Sequence, residues 1–280
     1  MRMIHPIWTF MPEHRTNEMQ STGYGTPTSR VSYEVFHENF DVRLAETAED
    51  VERCQRLRYQ VYCVERHWCE EIHAESEREF DRFDDRSAHA MLFNRPTGQL
   101  IGTVRLVLPN EGEERPDLPV EEVAGWPLPF AEDLPAPEKV GEISRFAVAK
   151  HFLLQAIRND TGEDAKDPSE VIWEGEERSV PRISIGLMRG IHLMARKHGI
   201  TYLVAILEPA LVKLFERIDV RFAACGKPRF YHGVRQPCYV RMEDLARGMK
   251  DRRPDLYRIV FEDPAPESSS MPGGAEKIGY

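Results

Sequence analysis

No apolar run in the 280 residues approaches the roughly 20 that cross a bilayer, so no membrane span is expected. The opening stretch from Met1 to Trp8 lacks the apolar core of a secretory signal. A basic surplus is missing as well: the formal net charge is −10 with the acids spread along the chain, which argues against nucleic-acid binding. Cysteine is scarce. The five are odd in number and form no CxxC pair, and Cys63, His67 and Cys69 offer half of a zinc site with no second half. The expectation is reduced cysteines, no metal and a cytoplasmic location.

What remains, 41% hydrophobic and 30% charged residues, is enough for a globular protein with a sizeable core. Residues 1–30 have no sustained period and read as a flexible arm, 31–262 as a single domain, and 263–280 as a disordered tail. Residues 31–44 suggest a short helix or extended entry, then a strand from 40 to 44. Thr47 and Asp50 form a shortened capping box, after which Val51, Cys54, Leu57, Val61 and Val64 recur at helical spacing. Arg58 and Tyr62 share one face of that helix. Segments 88–93 and 100–108 read as strands around the turn Arg95-Pro96-Thr97-Gly98. Alternation places Ile101, Thr103, Arg105 and Val107 on one face. A strand arginine flanked by apolar residues needs a partner, and the acidic run from Glu79 to Asp85 lies just upstream.

Segment 140–148 reads as a strand carrying Glu142-Ile143-Ser144-Arg145. Ile183, Leu187, Ile191 and Met194 mark a helix that stops at Gly199, and 200–207 is a strand buried on both faces. A short helix runs from Glu208 to Arg217, two short strands cover 222–225 and 238–241, and a last helix covers 242–249. Proline and acid dominate 110–137, a surface excursion, and 158–178 is a second acidic insertion. The fold class is α/β, a mixed sheet flanked by helices on both faces.

Four motifs follow in order: Arg58, Tyr62 and Trp68; Glu79, Asp81 and Asp84; Gly102-Thr103-Val104-Arg105; and Glu142, Ser144 and Arg145. Together they resemble the acyl-carrier-protein-dependent branch of the GNAT acyltransferase fold. That branch contains acyl-homoserine-lactone synthases and N-acyl amino acid synthases, and the likeness is greatest to acyltransferases associated with the PEP-CTERM/exosortase system. The resemblance covers residues 58–145 specifically and the C-terminal half only in element order. Two departures stand out. The glycine-rich pyrophosphate loop is absent, since Arg182-Ile183-Ser184-Ile185-Gly186 holds one glycine, which suits a phosphopantetheine donor better than coenzyme A. The chain is also longer than a lactone synthase, which leaves an S-adenosylmethionine site unsecured.

The resemblance implies transfer of a fatty acyl group from the thioester of acyl carrier protein to the amine of a small acceptor such as an amino acid. Two alternatives stay open, a lactone synthase using S-adenosylmethionine and a silent acyl-binding or regulatory module. No tightly bound cofactor is implied. Glu142 is the implied general base, with Ser144 beside it. Glu79, Asp81 and Asp84 would hold the acceptor ammonium, and Arg58, Arg105 or Arg145 its carboxylate. Tyr62 and Trp68 complete the acceptor set, although Trp68 and His89 also read as packing residues. Backbone N–H groups of Phe146, Ala147 and Val148 would hold the oxyanion, and Arg182, Ser184 and Gly186 would border pantetheine. A bulge in this strand would bring Glu142 and Arg145, which strict alternation separates, to one side. Leu187, Met194, Val204 and Ile206 are candidates for an acyl channel. Arg182, Arg189, Arg196, Lys197 and Lys213 are candidates for a basic face toward the acidic carrier.

Overall fold

The computed structural model describes residues 33–68, 75–110, 114–124, 136–152, 180–217, 219–230 and 233–263, with isolated positions at 112, 128 and 154. The arm at 1–30, the insertion at 158–178 and almost all of the tail lie outside the described residues.

Helix α1 (Tyr33–Asn39) leads into β1 (Phe40–Leu44), and α2 (Ala48–Arg58) follows. Thr47 caps α2, its hydroxyl accepting from the Asp50 N–H at 3.1 Å. The chain then departs from the single helix expected through residue 65: Tyr59–Glu65 winds as a π-helix. Strands β2 (Ser87–Asn94) and β3 (Gln99–Val107) form a hairpin whose Gly98 takes φ +67°, a conformation that favours glycine. Helix α3 (Pro119–Ala124), β4 (Val140–Val148) and α4 (Val180–His198) come next. They are followed by β5 (Tyr202–Leu207), α5 (Pro209–Arg217), β6 (Ala223–Ala224), β7 (Arg229–Phe230) and β8 (Val234–Arg241). Helices α6 (Met242–Arg252) and α7 (Pro254–Phe261) close the domain. In place of the single terminal helix expected there are two, since Pro254 at the first turn of α7 starts a second helix.

The sheet runs β1-β2-β3-β4-β5-β8-β6, with β7 paired to β8 alone. All neighbours are antiparallel except β4 and β5. On one face, Val104, Leu106, Ile143, Leu203 and Ala205 pack under α4, α6 and α7. Two glycines let α4 lie close to the sheet. A Cβ at Gly186 would meet Leu92 Cδ1 at 2.6 Å, and one at Gly190 would meet Ala90 Cβ at 2.6 Å.

The other face is covered by α2 and by the segment around α3. Leu118, Val120 and Leu128 are buried there against Val107, Val140 and Val204. The stretch expected to be a surface excursion therefore supplies part of a second core. Arg86 ties it down by donating to the carbonyls of Leu108 and Asp117, and Arg82 pairs with Glu122 at 2.8 Å. Among the cysteines, Cys54, Cys225 and Cys238 are free and buried, whereas Cys63 is disulfide-bonded, contrary to the expectation that all five are reduced. Among the described residues no helix is long and apolar enough to cross a membrane.

Candidate active site

The site stands on the α2 face of β3 and β4, where three arginines and three carboxylates form a closed ring of ion pairs. Arg58 donates to Glu79 at 2.5 Å and to both oxygens of Asp84 at 2.7 and 3.0 Å. Arg105 reaches Asp81 at 2.7 and 3.0 Å, Asp84 at 2.8 Å and the Ser144 hydroxyl at 3.0 Å. Arg145 closes the ring onto Glu79 and Asp81, each at 2.9 Å. Such charges need mutual pairing, since leaving one of them buried alone costs several kcal/mol. Burial pushes the Glu79 carboxyl up, but Arg58 and Arg145 outweigh it and hold it at about 2. Asp84 is held well below the usual carboxylate range against burial, by Arg58 first and Arg105 second.

Arg145 joins the ring because β4 bulges. The β3–β4 register shifts between Thr103 and Arg105, and Arg145 opposite that step takes φ +52°. The resulting kink turns its side chain to the face already occupied by Glu142, Ser144 and Arg105. Left-handed backbone at a non-glycine residue is held there by the two ion pairs.

The ring also corrects the assignment of the acceptor contacts. Arg58 and Arg105 are fully enclosed, and Glu79 and Asp84 nearly so, with their lone pairs and N–H groups spent on each other. None of the four has a polar group left open to solvent. The edge open to solvent is Asp81 and Arg145, whose side chains are each 28% exposed. His89 is buried behind Asp84, its Nε2 3.6 Å from that carboxylate. Burial first and Arg58 second push the imidazole down to about 4, so it is neutral.

Downstream of the bulge, β4 leaves β5. The parallel ladder pairs 140–143 with 202–205 and stops. The Ala149 N–H donates to Ile101 in β3, and by strand alternation Ala147 faces the same way. Phe146 and Val148 then present their backbone groups to the unpaired edge. The π-helix lines this edge: Tyr62 donates to the Phe146 carbonyl at 3.2 Å, and Glu65 accepts from the Lys150 N–H at 3.2 and 3.3 Å. The Val148 N–H lies between these two anchors. Tyr62 and Glu65 both reach this edge from the π-wound segment, and the pattern of apolar residues alone did not reveal that winding. Trp68 stacks on Tyr62 with ring centres 6.0 Å apart, and the Arg66 guanidinium lies 4.7 Å over its ring. Trp68 is 36% exposed, so it packs on one face and meets solvent on the other.

Glu142 is almost completely buried. One carboxylate oxygen accepts from the Val120 N–H at 2.6 Å. Burial pushes its carboxyl up to about 8, only partly offset by that hydrogen bond and by Arg105 and Arg145. A carboxyl poised there takes up and releases a proton near neutral pH.

Several expected contacts are not formed. Gly186 is pressed on Leu92 and Ser184 is buried in α4, so neither borders a thioester arm; the single glycine serves helix–sheet contact. Leu187 and Met194 lie in the α4 core whereas Val204 lies in the core on the opposite face, so these residues do not line one channel. Of the basic set, Arg189 is buried and donates to the Ile259 and Glu262 carbonyls at 2.7 and 2.8 Å. Arg196 pairs with Asp263 and Lys197 with Glu46.

An antiparallel sheet with one parallel step, a bulged and splayed β4 and helices on both faces define a GNAT-like acyltransferase fold. Residues 57–158 match the family described as acetyltransferase (GNAT) domain, and with that domain the chain is an acyltransferase by class. Solved structures with this fold include TofI in a ternary complex with an inhibitor and MTA, at 20% identity over 78% of this chain and 99% of that one, TM-score 0.49. BjaI, a CoA-dependent acyl-homoserine lactone synthase with SAM and isopentyl-CoA, aligns at 18% identity over 82% and 85%, TM-score 0.48. FeeM, an N-acyl amino acid synthase from uncultured soil microbes, aligns at 16% over 75% and 95%, TM-score 0.46. At these identities the likeness is one of fold. No curated protein matches.

Proposed function

We propose that the protein is an N-acyltransferase that moves a fatty acyl group from the thioester of an acyl carrier protein to the amine of a small zwitterionic acceptor, an amino acid. The observation that carries this reading is the pairing of an exposed Asp81–Arg145 edge with the unpaired backbone edge of β4. Asp81 takes the acceptor ammonium and Arg145 its carboxylate, while Arg58, Arg105, Glu79, Asp84 and the Ser144 hydroxyl hold those two in place. The acyl carbonyl sits at the splay, its oxygen on the Val148 N–H. Phe146, Val148, Leu211 and Phe215, partly or fully buried on the α4 side of the splay, form the apolar wall for the chain. Tyr62 and Trp68 flank the thioester arm.

In the reaction the amine nitrogen bonds to the carbonyl carbon and the carbon–sulfur bond breaks. The surplus amine proton passes through a water to Glu142 and then to the departing thiolate. An α-amine with a pKa of about 7.7–8.0 is already partly neutral, so a base poised near 8 suffices. The run Arg182-Ile183-Ser184-Ile185-Gly186 holds one glycine, and that one is pressed on Leu92, which supports a carrier-borne donor over one gripped by its pyrophosphate. Mass spectrometry of lipid extracts from cells expressing the chain, beside Glu142→Gln, tests the reading. An N-acylated amino acid lost in the variant is expected. A lactone formed at the expense of S-adenosylmethionine, or no new amide under saturating acyl-carrier supply, would overturn it.

A further inference from the structure

We propose that the β7–β8 hairpin is the docking surface for an acidic carrier protein that delivers the acyl thioester, an inference that rests on the carrier-borne donor in the reading above. The chain as a whole repels an acidic partner, with a net charge of −10, so association requires a local reversal of sign. Of the basic residues first expected to supply it, Arg189 is buried, and Arg196 and Lys197 are spent on Asp263 and Glu46. Residues 220–242 reverse the sign. They contain Arg221, Lys227, Arg229, Arg235 and Arg241 and no aspartate or glutamate. Arg221, Lys227 and Arg229 are exposed.

The hairpin also carries the most exposed large apolar side chain among the described residues. Phe230 is 86% exposed, and its cross-strand partner Val234 is exposed too. An apolar pair flanked by cations is a surface for a partner that is both acidic and apolar, with the aromatic as anchor.

Position links this surface to the chemistry. Arg235 pairs with Glu208 at 2.8 Å, at the end of β5 where β4 has splayed away, and its guanidinium lies 5.8 Å from the Trp68 ring. Arg66 reaches the same Glu208 at 3.8 Å. Trp68 stacks on Tyr62, which holds the Phe146 carbonyl. A carrier seated on Phe230 and Arg229 therefore has its arm at Trp68, the entrance to the unpaired β4 edge. Free acyl-coenzyme A does not need the exposed Phe230, which favours a protein partner over a small anion.

The test measures binding of acyl-loaded carrier protein to the full chain by anisotropy, and turnover with acyl-pantetheine, which has no carrier. Three variants are compared: Lys227→Glu with Arg229→Glu, Phe230→Ser, and Lys250→Glu as a control on α6. The double reversal is expected to weaken carrier binding at least tenfold at low salt and to flatten its salt dependence. Phe230→Ser should weaken binding severalfold, with acyl-pantetheine turnover unchanged in both and Lys250→Glu indistinguishable from wild type. Carrier affinity unaltered by both hairpin variants would overturn the inference. So would an equal loss with acyl-coenzyme A, which would assign the patch to a phosphate. Hairpin-dependent carrier binding without any amide product would leave the docking surface standing and sink the proposed reaction. Turnover of acyl-pantetheine without carrier binding would do the reverse.

Discussion

Glu142 makes the protein's stability depend on pH in a direction opposite to that of most carboxylates. The ordinary carboxyl value is 4.5, and burial raises this one to about 8 in the fold. Between those values the folded chain holds a proton that the unfolded chain has released, so stability falls as pH rises. At about 1.4 kcal/mol per pH unit, the interval is worth about 5 kcal/mol. The contribution is fully present below about 4.5 and gone above about 8. Glu142→Gln keeps an oxygen for the Val120 N–H and removes the titration. Urea unfolding from pH 5 to 9 should therefore show wild type losing stability relative to the variant across that range. The gap at pH 9 should be several kcal/mol, or a melting shift of about 10 °C or more. The acceptor amine titrates in the same region and would confuse a rate profile, but it is absent from this assay. A constant difference between wild type and variant from pH 5 to 9 would refute a raised Glu142.

Catalysis offers a parallel: with Glu142→Gln, amide formation should fall by ~10²–10⁴-fold while carrier affinity stays, read by single-turnover kinetics against anisotropy. Arg58→Met strands Glu79 and Asp84 with one arginine each and should cost about 3–5 kcal/mol, measured as a drop in the urea midpoint. The ring sets the acid limit in the opposite sense to Glu142. Glu79 and Asp84 have depressed values, so the stability they confer is present above the ordinary range and lost as pH falls toward 2. Glu79→Gln should flatten that limb of the acid-unfolding curve. Gly186→Ala pushes a methyl into Leu92 and should lower stability by about 1–3 kcal/mol with acceptor KM unchanged; a lost donor affinity instead would return Gly186 to the binding site. Asp81→Asn should raise the KM for the acceptor far more than for the acyl donor, checked by varying each substrate separately.

What was legible in the sequence is what local chemistry dictates. The strands around Arg95-Pro96-Thr97-Gly98 were readable because alternation and a turn glycine agree, and the α2 cap because Thr47 lies three residues before Asp50. Arg105 announced a buried charge, and the acidic run upstream announced its partners. The bulge followed from a contradiction: Glu142 and Arg145 cannot share a face in a regular strand, yet both belong to one motif. The π-helix was hidden because widening a turn moves Tyr62 and Glu65 without changing which residues are apolar. The burial of Leu118, Val120 and Leu128 was hidden among prolines and acids, since their partners lie on strands far away in the chain.

The six charged residues of the ring differ most in their access to solvent. Charge and motif spacing identify the six members of the ring, but they do not rank them by access; only packing does. Arg58 and Arg105 each satisfy two or more acceptors while excluded from water, and this rigidity is what fixes Asp81 and Arg145 at the edge. A ring of equal charges is neutral as a whole, so its buried part can be assembled without leaving an unpaired ion, and its open edge still presents one charge of each sign. In the proposed reading, that arrangement recognises an ammonium and a carboxylate on one small molecule better than either charge alone. It predicts that amines lacking the carboxylate will be poor acceptors, and that Arg145→Lys, which keeps the charge but loses the two-pronged geometry, will narrow the difference between the two classes. Equal rates for an amino acid and its amide in the wild-type protein would show that Arg145 serves the bulge alone.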